Sequence, residues 1–389
     1  MTMRSNYLHT QTGNSRAIHR NPSEDLGSVA GTTRLAKITQ ILDDCGADFL
    51  FSDHLELIHY LTGFRGSNGT LLLRRHPEPT TYLCTDGRYL EQAALQAQRH
   101  GADVQIGTRP ILGPEGLLIT FAIAGQIVVD LASLQLTNYL ALEKSGLGLT
   151  DISASLAMMR AHKEDGEIAS ISSAAEIADR AITKTLSHLA GAPTELELAG
   201  WFEYYVRECG GEGVSFPTIV ASGGRTSLPH AQPTRQRIEA PTPVVIDFGA
   251  MVDGYCSDST RSFYLGDPPD RYRRAYEIVL AAKAAGVAQL RPGNTVNAVE
   301  VATRAYLQDQ GVEEHLLHGV GHGVGLEIHE FPFTSTAVDI AVEPTMCITV
   351  EPGLYYAEDF GIRLEDLYLT TSTSPIALSN SAEVGISLG

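Results

Sequence analysis

Five side chains with metal-binding groups are spread over residues 247–365 of this 389-residue chain. They are four carboxylates and one imidazole: Asp247, Asp258, His322, Glu351 and Glu365. Such a set can hold two divalent cations side by side, and a pair of cations is catalytic more often than structural. The residue types therefore predict a catalytic site with two metal ions.

The two aspartates, Asp247 and Asp258, are eleven positions apart, with a turn signal between them. Asp253 and Gly254 favour a hairpin turn, because both residue types tolerate positive φ angles. A hairpin here would bring both carboxylates to one face of a sheet, close enough to share a metal. Taken alone, an aspartate pair across a turn is more often solvated, so the pattern gains weight only together with the other ligands.

The two glutamates, Glu351 and Glu365, are each predicted inside an apolar strand, in ITVEPG and IRLED. A carboxylate among apolar residues is costly to bury unless it is paired or bound to a cation. Arg363 stands two residues before Glu365, so we expect it on the same face, where it would hold a metal-bound carboxylate. An exposed Arg–Glu ion pair on the strand explains the local pattern equally well.

Histidines cluster near the same strands. His322 lies in the glycine-rich run GVGHGVG, and His329 follows in EIHE. The second of these is not part of an HExxH zinc helix, since position 333 is Phe333, and no P-loop pattern supports nucleotide binding. A lone histidine is more often structural, but several in one glycine-rich pair of strands favour function. His230, in SLPHAQP, carries little weight by itself.

Composition indicates a globular chain of two domains and limits its partners. With 46 acidic and 28 basic residues the formal net charge is −18, which argues against nucleic acid and anionic membranes as partners. No apolar run approaches the ~20 residues that span a bilayer, and nothing near the start resembles a secretory signal. The five cysteines form no CxxC pair, so we expect no disulfide framework or zinc knuckle, and a reducing cytoplasm fits best.

We interpret residues 1–34 as a disordered tail, 35–158 as an alternating α/β domain and 159–389 as an α+β domain of antiparallel strands with covering helices. Short strands are predicted in the first domain at FLFS, IHYLTGFRG, GTLLLRR and TTYLCTD. In the second domain, apolar spacing predicts a long helix that ends at Gly191, and Thr194-x-x-Glu197 predicts the start of the next. Further strands are predicted at GVGLEIHE, MCITVEPGLY and IRLEDLYLTT.

The second domain resembles the pita-bread-fold metallopeptidases, which include prolidase, aminopeptidase P and methionyl aminopeptidase. The resemblance covers roughly residues 160–380, keeps all five ligands in order, and rests on FPTIVASGGRTSLPHAQP, VVIDFGAMVDGYCSDSTRSFYLG, HGVGHGVGLEIHE, ITVEPGLYY and GIRLEDLYL. In the first domain, YLTGFRGSNG and TDGRYLEQA are similar to the creatinase-like domain of the proline-specific members. The resemblance implies a pita-bread catalytic domain after a smaller α/β creatinase-like domain, and an Xaa-Pro peptidase acting on proline-containing peptides.

The same resemblance implies roles for individual residues. Asp247 and Asp258 would bind one metal, Asp258 and His322 the other, and Glu351 and Glu365 would share in ligation. His230, His318 and His329 would line the pocket, Glu351 would shuttle a proton, and Arg363 would brace the carboxylates. The metal implied is Mn²⁺ or Co²⁺, with Zn²⁺ possible, because the ligands are mainly oxygens. A homodimer is also implied, with the first domain at the dimer contact.

Some residues depart from the family pattern without removing a ligand: Pro241-Thr242-Pro243, Thr345 and Phe331-Pro332-Phe333. These departures bear on substrate preference, and dipeptidase and aminopeptidase P activity both stay open.

Two other interpretations of the sequence are a creatinase-like hydrolase that splits a C–N bond without metal and a non-catalytic pita-bread binding protein. The intact ligand set argues against both, since loss of carboxylates would be expected there.

Overall fold

The structure of the protein is a computed structural model, and it describes residues 26–97, 102–106, 113–335, 339–379 and 387–388. The described chain forms an α/β domain followed by a larger α+β domain, as predicted. The predicted boundary between residues 158 and 159 lies inside the helix Ser153–Ala161.

A six-stranded mixed sheet forms the first domain, in the order β4-β3-β2-β1-β5-β6. Its strands are β1 Phe49–Ser52, β2 Thr70–Arg74, β3 Thr80–Thr85, β4 Asp103–Ile106, β5 Gln126–Val129 and β6 Gly148–Asp151. Its helices are α1 Leu26–Cys45, α2 Leu55–Thr62, α3 Leu90–Ala97, α4 Pro114–Phe121, α5 Leu136–Lys144 and α6 Ser153–Ala161. The pairs β1–β5, β3–β4 and β5–β6 are parallel, which is typical of helices connecting successive strands.

Two predictions for the first domain are wrong. Helix α1 begins at Leu26, inside the predicted tail, and the side chain of Arg34 is buried against Tyr60, Glu164 and Glu167. The rest of that prediction, residues 1–25, lies outside the described residues. The predicted strand IHYLTGFRG is largely helix α2, because its buried residues recur at helical spacing and Gly63 ends the helix at φ 71°.

Four helices and fourteen short strands make up the described second domain. The helices are α7 Asp165–Leu186, α8 Glu195–Glu208, α9 Asp270–Val287 and α10 Asn297–Asp309. The first strands are β7 Gly213–Val214, β8 Ile219–Ser222, β9 Thr242–Phe248, β10 Ala250–Val252, β11 Tyr255–Cys256 and β12 Ser259–Leu265. The others are β13 His322–Gly323, β14 Glu330–Phe333, β15 Cys347–Val350, β16 Gly353–Tyr356, β17 Phe360–Arg363, β18 Asp366–Leu369, β19 Ile376–Ala377 and β20 Ser387–Leu388.

Local sequence accounts for several of these boundaries. Thr194 and Glu197 form the predicted capping box at the start of α8. Helix α7 ends at Leu186, earlier than predicted, because a separate 3-10 turn covers Leu189–Gly191. The strand predicted over GVGLEIHE is also wrong, since β13 and β14 pair with a register shift and residues 324–329 between them are irregular.

The two domains share one hydrophobic core. Leu57 and Ile58 of α2 belong to the same buried cluster as Tyr255, Val324 and Leu326 of the second domain. Separate cores lie between α7, α8 and the sheet β20-β12-β9-β8, and between α9, α10 and the strands β15 to β18. Among the helices of the described ranges, none is long and apolar enough to cross a membrane.

Candidate metal centre

The two aspartates are placed by the predicted hairpin. Strands β10 and β11 pair across a turn in which Asp253 and Gly254 have φ angles of 50° and 77°. Asp247 lies near the end of β9 and faces Thr260 of β12, and Asp258 lies just before β12 begins. The turn therefore brings the two carboxylates to the same end of the β9–β12 pair.

The two glutamates lie where the chain passes from one sheet to another. Glu351 is between β15 of the five-stranded sheet and β16 of a two-stranded sheet. Glu365 is between β17 and β18, where the chain returns, and it forms an isolated bridge with Thr260. The prediction that both lie within strands is thus corrected: a strand junction turns these side chains away from the sheet alternation and toward the aspartates.

Four of the five candidate ligands lie close to one another around His322. Its Nε2 lies 3.6 Å from Oδ2 of Asp258 and 3.5 Å from Oε1 of Glu351. Asp258, His322 and Glu365 each offer a ligand atom, and these atoms lie within 4.8 Å of one another. Because His322 Nδ1 lies 3.1 Å from the carbonyl oxygen of Gly323, it is placed to donate there and leave Nε2 as the ligand atom.

Electrostatics show why a cation fits this site. Burial, and then the neighbouring carboxylates, raise the pKa of Asp258 and of Glu351 well above their usual range, and raise that of Glu365 to about 8. Asp247 Oδ1 is buried and has no hydrogen-bond partner within the described residues. A divalent cation would bind this oxygen and compensate the repulsion among the carboxylates, so the donor set fits the implied metals.

Burial keeps three histidines of the cavity, His318, His322 and His329, in the neutral form. It lowers the pKa of His318 and of His322 to about 4, and it also lowers that of His329. The rings of His322 and His329 meet edge to face, with centroids 4.4 Å apart. A neutral imidazole can bind a cation through one nitrogen or donate a hydrogen bond through its N–H, which is compatible with a ligand role for His322 and with a pocket-lining role for the others.

Arg363, predicted to hold a metal-bound carboxylate, contacts Asp247 directly and Glu365 through Thr260, a residue that the sequence did not single out. Its Nη2 donates to Asp247 Oδ2 at 2.7 Å, and its Nε donates to the Thr260 hydroxyl at 3.0 Å. That hydroxyl in turn donates to Glu365 Oε2 at 2.7 Å. The Tyr355 hydroxyl lies 2.8 Å from both Arg363 Nη1 and His318 Nε2. Only sequence position hinted at these two partners of Arg363. Thr260 is two residues after Asp258, and Tyr355 belongs to the GLYY run.

All nine predicted site residues line one cavity of about 440 Å³. They are His230, Asp247, Asp258, His318, His322, His329, Glu351, Arg363 and Glu365. The remaining wall is largely apolar and comes from Phe216, Pro217, Ile219, Pro229, Ile328 and Phe333, with Gln232, Gly319 and Gly321. The cavity thus combines buried charged groups with apolar surface, which suits a ligand that has both polar and apolar parts.

Comparison with known proteins agrees with this geometry. The chain matches the family model of metallopeptidase family M24 over residues 169–372 and that of the creatinase/prolidase N-terminal domain over residues 34–162. The fold and the site thus define a metal-dependent exopeptidase preceded by a creatinase-type domain. The chain belongs to metallopeptidase family M24, which confirms the predicted resemblance and fold class.

Individual relatives extend this result. An uncharacterised peptidase of Bacillus subtilis is 32% identical over 355 residues, covering 90% of this chain and 98% of that protein. The Xaa-Pro dipeptidase of Pyrococcus furiosus is 38% identical over 223 residues, 57% of this chain and 64% of that protein.

Solved structures show the same similarity over nearly the whole chain. The Xaa-Pro dipeptidase from Bacillus anthracis has a TM-score of 0.84 at 31% identity, covering 92% of this chain and all of that one (100%). The X-Pro aminopeptidase from Thermotoga maritima has a TM-score of 0.79 at 30% identity, covering 88% and 98%. Relatives named for both kinds of activity thus share this fold.

Proposed function

We propose that the protein hydrolyses the peptide bond between an N-terminal residue and proline, using two divalent cations. The observation that carries this proposal is the meeting of four acidic side chains, His322 and neutral histidines in one cavity. Relatives named Xaa-Pro dipeptidase and X-Pro aminopeptidase support the choice of bond.

Asp247, Asp258, His322, Glu351 and Glu365 would hold the metal ions. Bound cations would supply the charge that activates water and polarises the scissile carbonyl. The oxygen-rich donor set favours Mn²⁺, with Co²⁺ or Zn²⁺ as alternatives. Arg363 and Thr260 keep Asp247 and Glu365 in fixed orientations, so the ligand oxygens stay in place without reorganisation.

The proton transfers belong to residues at the cavity wall. Glu351 faces both His322, at 3.5 Å, and His318, at 3.9 Å, so its carboxyl can take a proton from water and pass it to the leaving nitrogen. That transfer is needed because the nitrogen of the scissile bond must gain a proton to leave as an amine. His230 and His329 line the same cavity and would donate to the oxygen of the scissile carbonyl as charge develops on it.

The apolar wall suits the ring of proline. Phe216, Pro217 and Ile219 on one segment and Ile328 and Phe333 on another line the cavity. A proline in the substrate offers no N–H to an edge strand, so recognition has to come from shape and apolar contact. This wall supplies such a surface.

The decisive experiment uses metal-stripped protein with and without added Mn²⁺, on Xaa-Pro dipeptides and on longer Xaa-Pro-Yaa peptides. Cleavage of dipeptides alone would make the enzyme a prolidase, and cleavage of longer peptides would make it an aminopeptidase P. A Glu365→Gln variant should lose activity and bound metal, whereas Asp267→Asn, at a carboxylate whose side chain is 93% exposed, should lose neither. Inactivity on both substrate classes despite two bound metals would overturn the proposal.

We further propose a cytoplasmic homodimer. Five free thiols are compatible with a reducing compartment, and the creatinase-type first domain supports the dimer through the family resemblance. Light scattering of the purified protein measures the second point directly.

A further inference from the structure

An irregular segment carries part of the cavity wall. Residues 324–329 connect β13 and β14, and the side chains of Ile328 and His329 line the metal-side cavity. The backbone bonds of the segment are concentrated at its start: the Val324 amide donates to the Cys347 carbonyl at 3.0 Å, the Cys256 amide donates to the Gly325 carbonyl at 2.8 Å, and the Gly325 amide donates to the Glu327 carbonyl at 3.1 Å. A segment outside the strand ladders needs other contacts to hold a side chain in a fixed position.

Two acidic side chains flank His329 and are both held by Arg160, in the last turn of α6. Arg160 Nη1 lies 2.7 Å from Glu327 Oε2, and Arg160 Nη2 lies 2.5 Å from Glu330 Oε2. One nearly buried guanidinium thus bridges the residues on either side of the Ile328–His329 pair. Because the guanidinium is planar, its two Nη atoms fix the direction of both carboxylates as well as their distance from Arg160.

Two further cations complete the cluster. Lys163, whose side chain is 1% exposed, places Nζ 2.5 Å from Glu330 Oε1. His54, in the first domain, places Nε2 3.6 Å from Glu327 Oε1 and 3.0 Å from Glu56 Oε2. Burial alone would lower the pKa of His54, but hydrogen bonds to Glu327 and Glu56 raise it to about 9. The hydrogen bond from His54 is the main reason that the pKa of Glu327 falls to about 2.

His329 stands between this cluster and the metal side. A second cavity, of about 210 Å³, is lined by His54, Arg160 and Glu327, and also by His329 and Phe333, which line the metal-side cavity as well. His54 and Arg160 of the first domain and the imidazole proposed for the reaction therefore line one common cavity. Movement of Glu327 would be transmitted directly to His329.

We propose that the first domain positions His329 of the same chain. Arg160 and His54 would do so through their ion pairs with Glu327, and Arg160 also through Glu330. Lys163, at the domain junction, holds Glu330 as well. These are positioning residues, since they hold the segment and do not line the metal-side cavity. The proposal rests on the proposed function for the role of His329. It gives the creatinase-type domain a task in catalysis that is separate from any dimer contact.

The test compares two interdomain carboxylates in the full-length, metal-loaded protein. Glu327→Gln breaks the pairs with Arg160 and His54, and His54→Asn provides a milder second variant. Glu212→Gln is the matched control, because Glu212 pairs across the same domain interface with Arg65 but does not line the metal-side cavity.

We expect kcat of Glu327→Gln to fall about tenfold or more with little change in KM, since small displacements of reacting groups are costly. Amide hydrogen exchange should rise in 324–331 and stay unchanged in 347–365.

A double-mutant cycle with His329→Ala separates positioning from general support. If Glu327 acts through His329, the Glu327→Gln change should have little further effect on kcat in the His329→Ala background. Fully additive losses, or unchanged exchange in 324–331, would overturn the positioning role. A different outcome is a rise in exchange in Glu327→Gln together with a wild-type protein that is inactive on all Xaa-Pro substrates. It would overturn the proposed function but not the structural role of the Arg160 and His54 contacts.

Discussion

Arg363 shows how much of the site depends on one side chain that binds no metal. It is buried, and its guanidinium reaches Asp247, Thr260, Tyr355 and the carbonyl of Pro229. A planar fork can serve several acceptors in fixed directions, which a lysine ammonium cannot reproduce. Orientation of the ligand carboxylates is therefore the property most sensitive to this residue.

We expect Arg363→Lys to weaken metal binding by about 10- to 100-fold, the usual effect of losing a group that orients a ligand. Calorimetric titration with Mn²⁺ measures the change independently of activity. Arg271→Lys is the matched control, because Arg271 pairs with Asp359 at the exposed surface. Equal metal affinity in both variants would show that Arg363 does not orient the ligands.

The candidate ligands could be proposed from sequence, while the residues that contact them could not. Acidic residues amid apolar strands, as at Glu351 and Glu365, are conspicuous because burial of a charge needs a compensating group. Thr260 and Tyr355 carry no such signal, since a hydroxyl in a strand is ordinary. Their role follows only from the pairing of β12 with the segment around Glu365.

At the scale of elements, the glycine-rich run around His322 is explained by close backbone packing. A Cβ at Gly321 would lie 2.0 Å from the carbonyl oxygen of Thr349 in β15, whereas a Cβ at Gly319 would meet nothing nearer than Glu300 Oε2 at 4.0 Å. Thr349 also accepts from the His322 amide through its hydroxyl, at 3.0 Å. Close packing of the two backbones thus fixes the position of His322 relative to β15.

Gly321→Ala should therefore destabilise the fold by about 1–3 kcal/mol, the typical cost of overpacking, and should displace His322. Gly319→Ala, two residues away in the same run, should be close to neutral. Thermal unfolding together with bound-metal analysis measures both effects. Similar stability and metal content in the two variants would contradict the packing argument.

Elements with strong local signals were predicted, and those decided by tertiary packing were not. The Thr194–Glu197 capping box and the Asp253–Gly254 turn each specify their own conformation. The IHYLTGFRG stretch is rich in aromatic and β-branched residues yet forms α2, because Leu57, Ile58 and Leu61 pack into the interdomain core as one helical face. Glu351 and Glu365 lie at sheet junctions: Pro352-Gly353 marks the first of these as a break in the strand, whereas the second follows only from the pairing of β17 and β18 with different sheets.

At the scale of the whole molecule, the contact between domains should depend on pH through His54. Its folded-state pKa of about 9 lies above the ordinary 6.5, so its charge stabilises the folded state fully below about pH 6.5, and this contribution is lost as the pH rises through 9. The pKa of Glu327 is depressed from 4.5 to about 2, so its contribution is present above about pH 4.5 and is lost as the pH falls toward 2.

We therefore expect His54→Asn to lower the free energy of unfolding by about 1.5 kcal/mol near pH 6, the low end for hydrogen bonds to charged groups, because His54 is partly exposed. The difference from the wild type should shrink above about pH 9, where His54 is neutral in both states. Thermal unfolding at several pH values measures it. Arg65→Gln serves as control, since the Arg65–Glu212 pair stays charged over this range. A pH-independent difference for His54→Asn would contradict the assignment.

The placement of the ligands along the chain also has a consequence for the order of folding. Asp247 and Glu365 stand at opposite ends of the ligand set, and Glu365 comes near the aspartates only when β12, β15 and β18 have joined. Contacts between such distant parts of a chain form late, because the loops between them must first close. A metal ion held by this candidate set would therefore not nucleate the domain as zinc nucleates a zinc finger, and its binding would mark a chain that has finished folding.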